Sequence, residues 1–91
     1  MNLSDLYTFL LERKTNPKPG SYTNSLFEEG LPRMAQKVGE EGVEVAVAAL
    51  AQEDQRLVEE IADLAYHTLV LMVARGITPE QILTELEQRH R

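Results

Sequence analysis

Cysteine is absent from this chain. Disulfides, thiolate zinc sites and cysteine nucleophiles are thereby excluded. Basic residues are few: nine Lys and Arg stand against 15 Asp and Glu, for a net charge of -6. A nucleic-acid binder would show the opposite balance. No apolar stretch approaches the roughly 20 residues needed to cross a bilayer; the run Leu69–Ala74 is far too short. The start, Met1-Asn2-Leu3-Ser4-Asp5, lacks the positive charge and long apolar region of a signal peptide. There is no internal repeat, no low-complexity tract and no run of like charge beyond two residues. These absences predict a soluble cytoplasmic protein with neither a nucleic-acid nor a membrane partner.

What is present fits a folded domain. The chain has 91 residues, 43% of them hydrophobic and 26% charged, which allows one domain spanning 1–91. So small a domain hides only about 60–65% of its unfolded surface. Chains of this size often lean on disulfides, a metal or a partner chain, and here only the last two remain.

Periodicity and punctuation predict helices throughout. Leu3, Leu6, Tyr7, Leu10 and Leu11 recur at helical spacing, giving a first helix over about Leu3–Lys14 capped by Asn2. Thr15–Thr23 reads as a loop, since Pro17, Pro19 and Gly20 cannot continue a helix. Asn24 or Ser25 is expected to cap a short helical turn ending at Gly30. Pro32 then opens a long helix to about Ala51. A break at Gln52-Glu53-Asp54 precedes another long helix that stops before Gly76. Thr78-Pro79-Glu80-Gln81 is a capping box starting the last helix, to about Arg89. No alternating segment reads as a strand. The expected architecture is an all-α, four- to five-helix bundle.

The two long helices are unusual. At about 100° per residue, Val43, Val45, Ala46, Val47, Ala49 and Leu50 occupy nearly every azimuth of one, and Ile61, Leu64, Ala65, Leu69–Val73 do the same on the other. Helices apolar all round are buried all round, which a 91-residue monomer cannot achieve for both. A homo-oligomer with a shared core is expected, most simply a two-fold dimer.

Carboxylates interrupt these apolar helices. Glu41 and Glu44 are three residues apart, and Glu40 and Glu44 four, so they project from adjoining parts of one face. Glu60 and Asp63 repeat the spacing on the second helix, with His67 one turn on. Uncompensated, such a group would repel and take up protons, and Lys37 is the only cation read on this sector. A hard divalent cation resolves the conflict. Carboxylate-only ligation fits Mg²⁺ or Mn²⁺ better than zinc or copper. Glu53 and Glu59 read as ordinary solvated acids, and His67 as a hydrogen-bonded histidine beside the ligands.

The sequence also carries Gly20-Ser21-Tyr22-Thr23, then Leu26-Phe27-Glu28-Glu29-Gly30-Leu31, then Lys37-Val38-Gly39-Glu40-Glu41-x-x-Glu44 and Glu60-x-x-Asp63-Leu64-x-Tyr66-His67, with Gly76-Ile77 before the last helix. Together these resemble the phosphoribosyl-ATP pyrophosphohydrolases, within the wider all-α nucleotide pyrophosphohydrolase (MazG-like) superfamily. The paired acids alone point only to the superfamily; the Gly-Ser-Tyr-Thr and Leu-Phe-Glu-Glu-Gly segments point to the family. Gly42 departs from the pattern, where a helix former is expected. The resemblance implies Mg²⁺-dependent hydrolysis of phosphoribosyl-ATP to phosphoribosyl-AMP and pyrophosphate, the second step of histidine biosynthesis, in a stand-alone form. Glu41, Glu44, Glu60 and Asp63 would hold the metal. Glu40 is a further ligand or the group that orients the attacking water. Arg33, Lys37 and Lys18 are candidates for phosphate contacts, and Ser21, Tyr22 and Thr23 for hydroxyl and backbone donors to substrate. Hydrolysis of other nucleoside triphosphates and a non-catalytic, metal-stabilised assembly module are the rival readings.

Overall fold

The computed structural model describes residues 1–90. Five helices follow one another: α1 (Leu3–Thr15), α2 (Tyr22–Glu29), α3 (Leu31–Ala51), α4 (Asp54–Arg75) and α5 (Pro79–Arg89). There is no strand among the described residues, as expected. Two starts obey their local sequence closely. The Asn2 side chain accepts the Asp5 amide at 2.8 Å while Asp5 accepts the Asn2 amide at 3.1 Å. Thr78 and Gln81 form the same reciprocal box at the head of α5. Gly76 ends α4 at φ 70°, a left-handed cap that an L side chain would disfavour.

The second helix differs from expectation. It begins at Tyr22, capped by Ser21, rather than at Asn24 or Ser25. Thr23 therefore lies in a helix and not in the loop. Asn24 cannot serve as cap because its side chain has another task. Its Oδ1 accepts the Lys18 amide at 2.8 Å and its Nδ2 donates to the Arg13 carbonyl at 3.0 Å, tying the loop to the end of α1. Gly30, at φ 92°, accomplishes the switch from α2 into α3; its amide still bonds the Leu26 carbonyl at 3.1 Å. The third helix starts one residue before Pro32, which still falls in the first turn, where its missing amide hydrogen costs nothing.

A two-residue connection, Gln52-Glu53, folds α3 back along α4, and these two helices share the most extensive packing in the chain. The core gathers Leu10, Leu26, Met34, Leu69, Val70 and Val73 around the C-terminal half of α4, with α1 and α2 closing over it. The expectation that α3 and α4 are buried all round is not met within one chain. Val43 is 64% exposed, Val47 48%, Leu50 89%, Val58 59% and Ile61 49%. No helix of the described residues is long and apolar enough to cross a membrane.

Gly42 sits in the interior of α3, and a Cβ added there would meet nothing within 4 Å. Glycine in a helix interior costs about 1 kcal/mol relative to alanine. Gly42→Ala is therefore expected to raise the melting midpoint by about 4–8 °C, the shift that about 1 kcal/mol produces in a domain of this size. A midpoint that falls instead would mean that a second chain closes on this glycine. Thermal denaturation followed by circular dichroism reads the difference.

Candidate metal centre

The α3–α4 hairpin brings carboxylates from two helices into one group. Glu41 on α3 and Glu60 and Asp63 on α4 each offer an oxygen, and these oxygens lie within 4.8 Å of one another. Glu41 and Glu60 are each only 6% exposed, whereas Asp63 opens to solvent. Helical spacing explains the pair on α4: three residues apart, Glu60 and Asp63 share one face. The antiparallel return of the chain sets Glu41 opposite them.

Two cations border this group. Lys37 Nζ lies 3.4 Å from Glu41 Oε1, and an Arg56 guanidinium nitrogen lies 2.7 Å from Glu60 Oε1. Arg56 corrects the expectation that Lys37 is the only nearby cation. It stands four residues before Glu60 and also pairs with exposed Glu59. Each cation engages one oxygen of its buried carboxylate. The second oxygen of each buried carboxylate, Oε2 of Glu41 and of Glu60, has no hydrogen-bond partner. A buried, unpaired carboxylate oxygen is costly. The donor set is oxygen alone, and so the residues fit a hard divalent cation such as Mg²⁺ or Mn²⁺.

The remaining acids stand apart from that group. Glu44 is exposed and lines a neighbouring hollow of about 340 Å³ together with Val47, Gln52, Arg56 and Glu60. Glu40 is exposed too. Gln36 donates to it at 2.8 Å and Lys37 at 3.3 Å, and these two hydrogen bonds hold its carboxyl below the usual range. For Lys37, burial alone would lower the pKa. The hydrogen bond to Glu40, the nearby Tyr22 phenol and the hydrogen bond to Glu41 outweigh it, and the ammonium is held more firmly protonated. Arg33, one turn before Lys37, pairs with Glu29 at 3.5 Å.

His67 is 6% exposed and both ring nitrogens are engaged. Nδ1 lies 2.8 Å from the Asp63 carbonyl and Nε2 lies 3.0 Å from the Tyr22 hydroxyl. A carbonyl can only accept, so Nδ1 carries a hydrogen, and in the neutral imidazole Nε2 accepts from Tyr22. His67 is thus a hydrogen-bonded neighbour of the acidic group, not a member of it. Thr23 is buried, its hydroxyl joined to that of Tyr66. Burial of Tyr66 pushes its phenol pKa up. Ser21 Oγ caps α2, accepting the Asn24 amide at 3.4 Å. Lys18, exposed, lines a cleft of about 610 Å³ with Pro17, Pro19, Gly20, Tyr22 and Glu28. The sequence gives Arg56 no role and Asn24 only that of a cap, whereas Asn24 ties the loop to α1. The spacing of four between Arg56 and Glu60 was a readable signal for the first; the second acts through partners on another element.

An all-helical chain whose antiparallel pair α3–α4 brings three acids together has the oxygen donors that a hard cation takes. The family profile described as Phosphoribosyl-ATP pyrophosphohydrolase matches residues 3–90, and the chain belongs to that family. The resemblance seen in Gly20–Leu31 and Lys37–His67 is thereby borne out. Among relatives, the protein named Phosphoribosyl-ATP pyrophosphatase of Lacticaseibacillus casei (strain BL23) is 56% identical over 84 residues, 92% of this chain and 76% of that protein. Its namesake in Sulfurisphaera tokodaii is 48% identical over 87 residues, 96% of this chain and 93% of that protein. The Histidine biosynthesis bifunctional protein HisIE of Xylella fastidiosa (strain Temecula1) is 49% identical over 89 residues, which are 98% of this chain and 43% of that protein.

Proposed function

We propose that this chain, as one domain, hydrolyses phosphoribosyl-ATP to phosphoribosyl-AMP and pyrophosphate in the histidine-biosynthesis route of the cytoplasm. Membership of the family supports the reaction. The observation that carries the metal requirement is the meeting of Glu41, Glu60 and Asp63 oxygens within 4.8 Å, two of the three side chains holding an unpaired buried oxygen. These residues would hold Mg²⁺, with Mn²⁺ as a substitute, and Glu44 stands next to them for a second ion or for a ligand reached through water. Such an ion supplies charge neutralisation on the phosphates and acidifies a bound water.

The chain's own residues divide the remaining work. Glu40, exposed beside Lys37, is suited to orient the attacking water. Lys37 and Arg33, one turn apart on α3, are suited to the phosphate oxygens, and Lys18 to a phosphate in the loop cleft. Ser21 and Tyr22 border that cleft, and Tyr22 and Thr23 tie α2 to α4 through His67 and Tyr66. The exposed apolar stripe of α3 and α4 supports a two-fold dimer as the working unit.

The test is pyrophosphate release from phosphoribosyl-ATP and, in parallel, from dNTPs over a Mg²⁺ titration. The expected result is metal-dependent release from phosphoribosyl-ATP far above that from any dNTP. Equal or greater release from dNTPs would move the chain to general triphosphate hydrolysis. Mg²⁺-dependent melting without turnover would make it an assembly module.

A further inference from the structure

Three aromatic rings form a cluster where α2 crosses α4. Tyr22 stacks near Tyr66 with centroids 6.3 Å apart and planes 24° from parallel. His67 sets its ring edgewise to both, at 5.9 Å from Tyr22 and 5.0 Å from Tyr66. Tyr66 and His67 are largely enclosed, but Tyr22 is 50% exposed and forms a wall of the cleft at Pro17–Ser25. The hydroxyl of Tyr22 is already engaged with His67, at 3.0 Å. The Asp63 backbone carbonyl receives the Nδ1 hydrogen of His67; in the neutral imidazole Nε2 then accepts, and the single Tyr22 O–H points there. Half-exposed, Tyr22 offers its ring to the cleft.

The location gives that ring a use. The Tyr22 hydroxyl is held by His67, whose other ring nitrogen is bonded to the backbone of Asp63 in the acidic group, and Lys37 pairs with Glu41 of that group. Tyr22 thus joins the cleft to the acidic group through His67, as the base of a nucleoside triphosphate is joined through its phosphates to a metal. The cleft volume of about 610 Å³ suits a nucleotide-sized ligand. We propose that the ring face of Tyr22 receives the purine base of the substrate, and that His67 is the positioning residue that fixes this platform relative to the metal ligands. The proposal rests on the function inferred above. One imidazole joins both ends: it holds the Tyr22 hydroxyl on one side and the Asp63 backbone on the other. The contact is aromatic stacking and not hydrogen bonding, contrary to the expectation that Tyr22 donates its hydroxyl to substrate.

Steady-state kinetics on phosphoribosyl-ATP with the full chain separates the roles, with Mn²⁺ affinity read in parallel by electron paramagnetic resonance. Base–aromatic stacking predicts that Tyr22→Leu raises KM about 10-fold or more, with kcat and Mn²⁺ affinity little changed. Tyr22→Phe and His67→Ala keep the ring but free it, and each should raise KM about 3-fold. His67→Gln, which can still accept from Tyr22, should restore most of that loss. In the Tyr22→Leu background His67→Ala should add nothing to KM, because the ring it positions is gone. An unchanged KM in Tyr22→Leu, multiplying effects of the two substitutions, or a loss confined to kcat would overturn the proposal. Calorimetric binding of Mg²⁺–ATP reads the platform without turnover, and Tyr22→Leu should weaken it about 10-fold. Should the wild-type chain fail to cleave phosphoribosyl-ATP while this weakening is found, the inferred function fails and the platform stands. Equal ATP affinity in wild type and Tyr22→Leu overturns the platform.

Discussion

Asp63→Asn is expected to lower kcat/KM for phosphoribosyl-ATP by on the order of 10²–10³ or more, the scale of losing one main electrostatic stabiliser of a transition state. The fold should survive it. Asp63 is exposed, and asparagine keeps its shape and helical position. Glu41→Gln should have a comparable effect on turnover, for a different physical reason. Glu41 is buried, and its Oε2 has no partner of its own. Glutamine removes the charge that a cation would need while leaving Lys37 beside it. The wild-type chain should melt higher as Mg²⁺ is added, by about 2.7 kcal/mol once the ion reaches 100 times its dissociation constant. That stabilisation should shrink sharply in both variants. Metal-dependent pyrophosphate release retained by both would sink the assignment of Glu41 and Asp63 as ligands, as would Mg²⁺ stabilisation equal to wild type.

The elements most legible in the sequence were those whose signals are local. Asn2 with Asp5 and Thr78 with Gln81 are closed within three residues, and both starts occur where the residues require. The start of α2 was misplaced because Ser21, Asn24 and Ser25 are all competent caps. What selects Ser21 is that Asn24 is held by Arg13 and Lys18 from outside the helix, which no local pattern encodes. The acidic group divides along the same line. Glu41, Glu60 and Asp63 were legible because charge at spacing three inside apolar helices demands compensation. Spacing alone could not tell that Glu44 lies outside the tight group, since that depends on how α3 is rotated against α4. The His67 contact to the Asp63 carbonyl is a one-turn contact and in principle readable. The contacts Tyr22–His67 and Thr23–Tyr66 join residues 45 and 43 positions apart and needed the fold.

The paired substitution Val47→Glu and Ile61→Glu should convert the protein into a monomer or leave it unfolded. Val43, Val47 and Leu50 follow at helical spacing along α3, and Val58 and Ile61 lie three apart on α4, all about half or more exposed in a single chain. Each such side chain gains about 1.5–3 kcal/mol when fully buried, so a stripe of five is a large penalty to leave in water. A solvated helical face would carry charges at these positions; this one does not. A second copy of the same hairpin, related by a two-fold axis, would cover the stripe with an identical stripe and would need no other partner. Two glutamates per chain would place four carboxylates in that seam, each costing several kcal/mol once desolvated without a partner. Sedimentation of the wild type should therefore give twice the 10.3 kDa chain mass, with a melting midpoint that climbs with protein concentration. The variant should lose both properties, whereas Glu80→Lys, on the exposed first turn of α5, should keep them. A wild-type chain that sediments as a stable monomer, with a midpoint independent of concentration, would contradict the shared core. The exposed stripe would then require a different partner or no partner at all.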